Sequence, residues 1–116
     1  MSARLKRNFD LLKVLKTASP KLRKAILQNS TDDLILCLCE VIANVLNSNV
    51  HLSTHQKEKL RKHRNLLRRI VEKRTRVSSK RKLFIQKGGF LPLLLAPILG
   101  IAGSLVGEAI GGAIRK

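Results

Sequence analysis

The sequence TDDLILCLCEVIANVL, residues 31–46, decides the fold of this chain. Thr31 supplies a capping hydroxyl, and Asp32 and Asp33 place two carboxylates at the positive end of a helix dipole. The residues that follow are apolar on nearly every side of a helix, interrupted only by Glu40 and Asn44. A helix that is apolar all round must be covered by its neighbours. The stretch therefore predicts the central helix of an all-α bundle.

Two shorter helices are predicted before it. Leu5, Phe9 and Leu12 follow the helical period, with basic residues on the opposite side. Ser19 and Pro20 then restart the helix as its cap and its first residue. Residues 1–50 are therefore expected to form a small N-terminal helical bundle.

A long basic amphipathic helix is predicted after the central one. Ser53 and Gln56 have the spacing of a capping box, and the helix should run from about Thr54 to Lys73. Leu60 and Leu67 lie along its apolar stripe. With a second basic element that begins near residue 78, it forms a basic helical segment over residues 51–87.

The last segment, residues 88–116, is predicted to be an apolar Gly/Pro-containing helical tail. Its first twenty residues, GGFLPLLLAPILGIAGSLVG, carry no charge and are long enough to span a membrane. Pro92 and Pro97 argue against a plain span. Glycines recur every four residues further on, and small residues at that spacing let helices approach closely. The tail could meet lipid, a partner, its own copies or the bundle itself. The residues expected to mediate membrane contact or self-association are Phe90, Leu91, Leu94, Gly103, Gly107 and Gly111.

Charge restricts the class of partner. The chain carries 24 Lys and Arg against 7 acids, a net charge of +17. Residues 57–87 hold fourteen of those cations and two acids, Glu58 and Glu72. A solvated surface is the simpler interpretation, but like charges this dense repel unless a polyanion neutralises them. The cations expected to contact phosphates are Lys57, Lys59, Arg61, Lys62, Arg64, Arg68, Arg69, Lys73, Arg74, Arg76, Lys80, Arg81 and Lys82.

Aromatic content favours a duplex as the nucleic-acid partner. Three Phe and no Trp or Tyr leave little on which single-stranded bases could stack. Phosphate contacts that ignore base sequence are favoured instead. Whether the duplex is DNA or RNA stays open.

No catalytic or metal-binding pattern is apparent, so we predict a non-enzymatic protein without metal or cofactor. Cys37 and Cys39 would point about 200° apart on a helix, which suits two buried thiols better than a metal site. His51, His55 and His63 have no acidic or thiol partner at ligand spacing. The N-terminus lacks the apolar segment of a signal peptide, so we expect an intracellular location.

The C-terminal third resembles a viral family. Lys80 to Lys82 followed by GGFLPLL, residues 88–94, and by Pro97 resembles the precursor of the adenovirus core protein mu, in which an Arg-rich DNA-condensing segment precedes a similar apolar tail. The whole chain also resembles small basic proteins of Maverick/Polinton (adintovirus-like) elements, which are related to adenoviruses. The departures are an N-terminal bundle without a counterpart in mu and a basic segment that mixes Lys and Arg with Leu, Ile and Val.

The resemblance implies a minor virion core component, found in the virion and the host nucleus, that packages double-stranded DNA. Our first hypothesis is therefore a sequence-nonspecific DNA-binding and DNA-condensing protein. The alternative is a membrane-active or capsid-associated interaction protein that acts through its apolar tail on anionic lipid or capsid. A homo-oligomeric scaffold, joined through the glycine face, is a third hypothesis.

Overall fold

A computed structural model describes residues 2–47 and 49–99 of the chain. All regular structure in these residues is helical, which confirms the all-α prediction. The helices are α1 (Ala3–Thr17), α2 (Pro20–Asn29), α3 (Asp32–Leu46), α4 (Thr54–Arg61), α5 (Arg64–Val71), α6 (Val77–Lys87) and, after a 3-10 turn at Gly88–Phe90, α7 (91–99).

Helix α3 lies at the centre, as its sequence predicts. Seven of its side chains are buried: Leu34, Ile35, Cys37, Leu38, Cys39, Val41 and Ile42. The helix contacts α1, α5 and α6, while α2 packs on α6. The apolar surface on all sides of α3 is thus covered by helices from both halves of the sequence.

Local capping signals set the helix starts. The hydroxyl of Ser19 accepts from the backbone N–H of Leu22 at 3.2 Å, with Pro20 as the first residue of α2. Ser53 and Gln56 form both bonds of the predicted capping box, at 2.9 and 3.1 Å. These bonds satisfy N–H groups that have no partner within a helix.

The long basic helix predicted from about Thr54 to Lys73 is built as two helices, α4 and α5, and not as one continuous helix. A turn at Lys62 and His63 separates α4 from α5, and the N–H of His63 donates to the carbonyl of Leu60 at 2.9 Å. Leu60, Leu67 and Ile70 are buried, so the apolar stripe faces the core through both helices. The opposite faces keep their Lys and Arg residues in solvent.

The first part of the predicted tail packs in the bundle. Phe90, Leu91 and Leu94 are at most 1% exposed, so they are not available for membrane contact or self-association in the folded bundle. One core cluster joins them to Leu12 and Leu67. The described parts of segments 1–50, 51–87 and 88–116 therefore share a single core. Gly103, Gly107 and Gly111 lie outside the described residues.

The segment Val77–Leu99 is, by length and composition, long and apolar enough to cross a membrane. Within this segment, half of an apolar stretch of 18 residues is buried inside the bundle. Core helices of soluble proteins can be equally long and apolar, so length and composition alone do not distinguish a membrane span from a core helix.

A polar cluster joins α1 to the start of α3. The carboxylate of Asp33 accepts from Arg4 Nε at 3.1 Å, from Arg7 Nη2 at 3.1 Å and from Asn8 Nδ2 at 2.9 Å. The bonds from Arg7 and Asn8 lower the pKa of Asp33 to about 2. This carboxylate therefore serves both the α3 dipole and the α1–α3 contact.

Candidate nucleic-acid interface

The predicted phosphate-binding cations divide into two groups in the structure. Eleven of the thirteen have exposed side chains on α4, α5, α6 and the turns between them. The exposed residues are Lys57, Lys59, Arg61, Lys62, Arg64, Arg68, Arg69, Lys73, Arg74, Arg76 and Lys82. These side chains are free to meet a polyanion without any change in the fold.

Arg81 belongs to the second group and serves the fold instead. Its Nη1 donates to the carbonyls of Leu27 and Ser30 at 2.7 and 2.9 Å, and to the Ser30 hydroxyl at 2.8 Å. Its Nη2 donates to Asp32 Oδ1 at 2.7 Å. Carbonyls at a helix C-terminus lack partners within the helix, so Arg81 supplies donors to the end of α2 and links it to α3. The prediction of a phosphate contact does not fit this geometry.

Lys80 also departs from the predicted role, since it is only 7% exposed. Helix α6 contacts α3, and burial raises the pKa of the Cys39 thiol, an effect that the nearby Lys80 ammonium opposes in part. A side chain this enclosed cannot reach a duplex surface. We therefore exclude Lys80 and Arg81 from the candidate interface.

The turn between α5 and α6 brings cations from both helices together. Thr75 holds the turn, because its hydroxyl donates to the carbonyl of Arg69 at 3.2 Å and its N–H donates to the carbonyl of Glu72 at 3.0 Å. Helix α6 then begins at Val77, after Arg76 as its N-cap residue. No side chain of the described residues caps this start, so its first N–H groups and the positive end of its dipole face the turn.

A hollow of about 490 Å³ lies at this turn, and we call it the basic hollow. Four cations line it, together with two hydroxyls, one amide and one leucine: Arg69, Arg74, Arg76, Lys82, Thr75, Ser79, Gln86 and Leu83. None of the acids in the described part of the chain lines it. A guanidinium group can donate two parallel hydrogen bonds to the oxygens of one phosphate, and hydroxyl and amide donors add weaker hydrogen bonds. The basic hollow is therefore suited to an anion with several oxygens.

Aromatic side chains are withdrawn from the surface. Phe84 and Phe90 are buried with ring centroids 6.2 Å apart, and Phe9 is half-buried beneath the ammonium of Lys13, 4.7 Å from the ring centre. Because the sequence has no Trp or Tyr, the described residues offer no fully exposed Phe, Trp or Tyr ring for stacking of bases, and the exposed rings are those of His51 and His55. The surface favours a phosphate backbone over unstacked bases.

The thiols and histidines do not form a metal centre among residues 2–47 and 49–99, where no group of three His, Cys, Asp or Glu could hold an ion. Burial raises the pKa of Cys37 to about 12 and also raises that of Cys39. His63 is half-buried, with its ring centre 5.8 Å from that of Phe90. His51 and His55 are exposed.

Sequence reasoning identified the basic segment but not the residues that shape it. Thr75, Ser79 and Gln86 line the basic hollow without having been expected there. Ser79 carried a partial signal, since the Ser78–Ser79 pair marks the start of the second basic element. Only the folded turn brings Gln86 to the same hollow.

No protein-family model, curated protein or solved structure matches this chain. The chain is therefore described by its own fold and surface, which are those of a small all-helical protein with a strongly basic surface on α4, α5 and α6.

Proposed function

We propose that this protein is a non-enzymatic, sequence-nonspecific double-stranded DNA-binding protein. The exposed cations of α4, α5 and the start of α6 contact backbone phosphates and release the counterions condensed on the duplex. No base-reading side chain is needed for this mode, and contacts to phosphate carry no sequence information.

The basic hollow is the observation that carries the proposal. Four of its eight lining residues are cations, and it opens beside the uncapped start of α6. A merely solvated surface would spread its charges apart to reduce repulsion. Grouping Arg69, Arg74, Arg76 and Lys82 around one hollow instead supports an anion as the natural neighbour. We infer that a backbone phosphate enters the basic hollow, while cations such as Arg68 and Lys73 extend the contact.

The biological setting proposed is that of a minor core component in the virion of an adenovirus-related element. It rests on the resemblance of Lys80 to Lys82 and GGFLPLL to the mu precursor and to Maverick/Polinton proteins. Double-stranded DNA would be the main partner in the virion and the host nucleus, with capsid proteins as further partners. Condensation requires one protein to neutralise many phosphates, for which the net charge of +17 is suited.

The alternative is a membrane-active role, which the length and apolarity of Val77–Leu99 favour. For that segment to enter lipid, Phe90, Leu91, Leu94 and Leu95 would leave a core in which each is at most 1% exposed. Burial of such a side chain contributes about 1.5–3 kcal/mol, so the four together approach the whole stability of a small domain, about 5–15 kcal/mol. Insertion would thus require the bundle to open.

Dye release from anionic liposomes tests the alternative with the intact chain. We expect no release under conditions that keep the helical bundle folded. Rapid release by the folded protein would favour the membrane-active role over DNA binding.

Fluorescence anisotropy of a labelled 20-base-pair duplex, titrated at several salt concentrations, tests the main proposal. Log affinity should fall linearly with log salt by about 0.9 for each phosphate neutralised. Duplexes of unrelated sequence should give the same slope, and a single strand of equal length should bind more weakly. A duplex RNA of the same length shows whether the A-form helix is also accepted. Affinity that ignores salt would overturn the proposal.

A further inference from the structure

A second concavity, of about 620 Å³, lies beside α4 and is distinct from the basic hollow. It is formed by the end of α3, the α3–α4 loop, α4 and α5, and we call it the amphipathic cleft. Its apolar lining residues, which we call its floor, are Val45, Leu46, Val50, Leu52, Leu60 and Leu67, and the polar residues Asn49 and His51 line the cleft as well. Val45, Leu46 and Val50 are only half-buried, so they present apolar surface to whatever fills the cleft.

The rim of the cleft is basic. Lys57 and Arg61 lie four residues apart on one face of α4, and Arg64 begins α5 across the turn. All three side chains are exposed. None of the acids in the described residues lines the cleft, so the three positive charges have no neutralising partner there.

Phosphate binding does not account for this arrangement. A duplex backbone would use Lys57, Arg61 and Arg64, but it has no apolar part to place against Val50 or Leu52. An apolar floor with a cationic rim matches a ligand with the complementary division. The volume also lies in the range of small-molecule sites, about 300–1,000 Å³.

We propose that the amphipathic cleft binds a single-chain anionic amphiphile, with its apolar chain on the floor and its carboxylate or phosphate head on Lys57, Arg61 and Arg64. Removal of the chain from water favours binding. Charge-assisted hydrogen bonds from the two guanidinium groups fix the head and select against neutral or cationic head groups. The chemistry is shared by a fatty acid and a lysophospholipid of phosphate head.

The test uses the full chain and the fluorescent fatty acid 11-(dansylamino)undecanoic acid, kept below the concentration at which it forms micelles. Its emission should rise and shift to the blue with a 1:1 stoichiometry. Dodecanoate should displace it, and so should a lysophosphatidic acid of equal chain length. Comparison of these two competitors distinguishes a carboxylate from a phosphate as the preferred head. Dodecanol and dodecyltrimethylammonium should compete at least about tenfold less well.

Two sets of variants locate the ligand. The pair Arg61→Gln and Arg64→Gln removes charge from the rim without touching the core, and it should weaken dodecanoate binding about tenfold or more. The matched pair Lys59→Gln and Arg68→Gln removes the same charge from exposed positions outside the cleft. That pair should change binding by less than about threefold, because distant surface charges are screened by salt.

A floor variant, Val50→Asp, should abolish binding while circular dichroism confirms that the helices remain. The pair Arg69→Gln and Arg74→Gln, in the basic hollow, should leave dodecanoate binding unchanged even though DNA binding weakens. Absence of probe binding, equal competition by dodecanol, or equal losses in the rim pair and its matched control would each overturn the proposal. Such results would mean that the cleft is filled by protein or that amphiphiles bind elsewhere.

Discussion

Replacement of Arg81 by Met tests whether this cation stabilises the fold, in contrast to the exposed cations that we propose bind DNA. Methionine keeps an unbranched side chain but removes the guanidinium, so the Ser30 carbonyl and hydroxyl lose the donor that Arg81 supplies, and the Leu27 carbonyl is left with the Ser30 hydroxyl as a donor. The ion pair with Asp32 is also lost, but Asp32 is 74% exposed and that pair contributes little.

The hydrogen bonds from Arg81 to Leu27 and Ser30 therefore determine how much stability the variant loses. A hydrogen bond to a charged group contributes about 1.5–3 kcal/mol, and the Arg81 side chain is 19% exposed, so water replaces part of what is lost. We expect the free energy of unfolding to fall by about 2–4 kcal/mol. For a domain of this size that corresponds to a decrease in Tm of about 10–25 °C.

Urea denaturation followed by circular dichroism measures the effect, with Lys82→Met as the matched control. Lys82 is the exposed neighbour on the same helix, so its replacement should change stability by less than about 0.5 kcal/mol. At a temperature where Arg81→Met is still folded, its salt slope for duplex DNA should equal that of the unaltered protein. A variant as stable as the control, or with a reduced slope, would refute the structural role of Arg81.

Three further predictions concern the core and the α1–α3 contact. Leu94→Ala should lower the free energy of unfolding by about 2–5 kcal/mol, because Leu94 is fully buried; Leu11→Ala, at an exposed position, should have little effect in the same urea titration. Because the pKa of Asp33 is lowered in the folded state, its charged carboxylate stabilises the fold at pH values above about 4, the unfolded pKa, and this contribution should disappear as the pH falls from about 4 to about 2. Asp33→Asn should flatten the dependence of stability on pH in this range. A pH profile identical to that of Asp10→Asn would contradict the role of the polar cluster. Burial raises the pKa of Cys37 to about 12, so Ellman's reagent at pH 8 should react slowly with the native protein and fast in urea; immediate reaction of the native thiols would show that α3 is not enclosed.

The sequence predicted those parts of the fold that depend on neighbours in the chain. The Thr31 hydroxyl accepts from the N–H of Leu34, and Ser53 and Gln56 form their two bonds with each other, so each of these bonds joins residues only three apart. The all-round apolarity of α3 likewise allowed only a central position. These signals need no knowledge of tertiary structure.

Contacts between distant residues could not be predicted in this way. Arg81 bonds to Leu27 and Ser30, about fifty residues earlier, and in the sequence it is one more member of a KRK cluster. Phe90 and Leu94 belong to an apolar sequence that suits burial in lipid as well as burial in the bundle, because both environments remove these side chains from water. The basic hollow likewise depends on the turn at Thr75, which brings α5 and α6 together.

The central claim is that exposed cations around the basic hollow bind duplex phosphates. It is tested most directly by the salt dependence of duplex DNA binding for Arg69→Gln with Arg74→Gln against Lys21→Gln with Lys24→Gln. Both pairs remove two exposed charges, so the general attraction of the protein for DNA falls equally. Our account predicts that the hollow pair lowers the magnitude of the slope by about 0.9, because the basic hollow holds one phosphate and each neutralised phosphate contributes about 0.9, whereas the α2 pair leaves the slope nearly unchanged. Equal slopes for the two pairs would contradict the account.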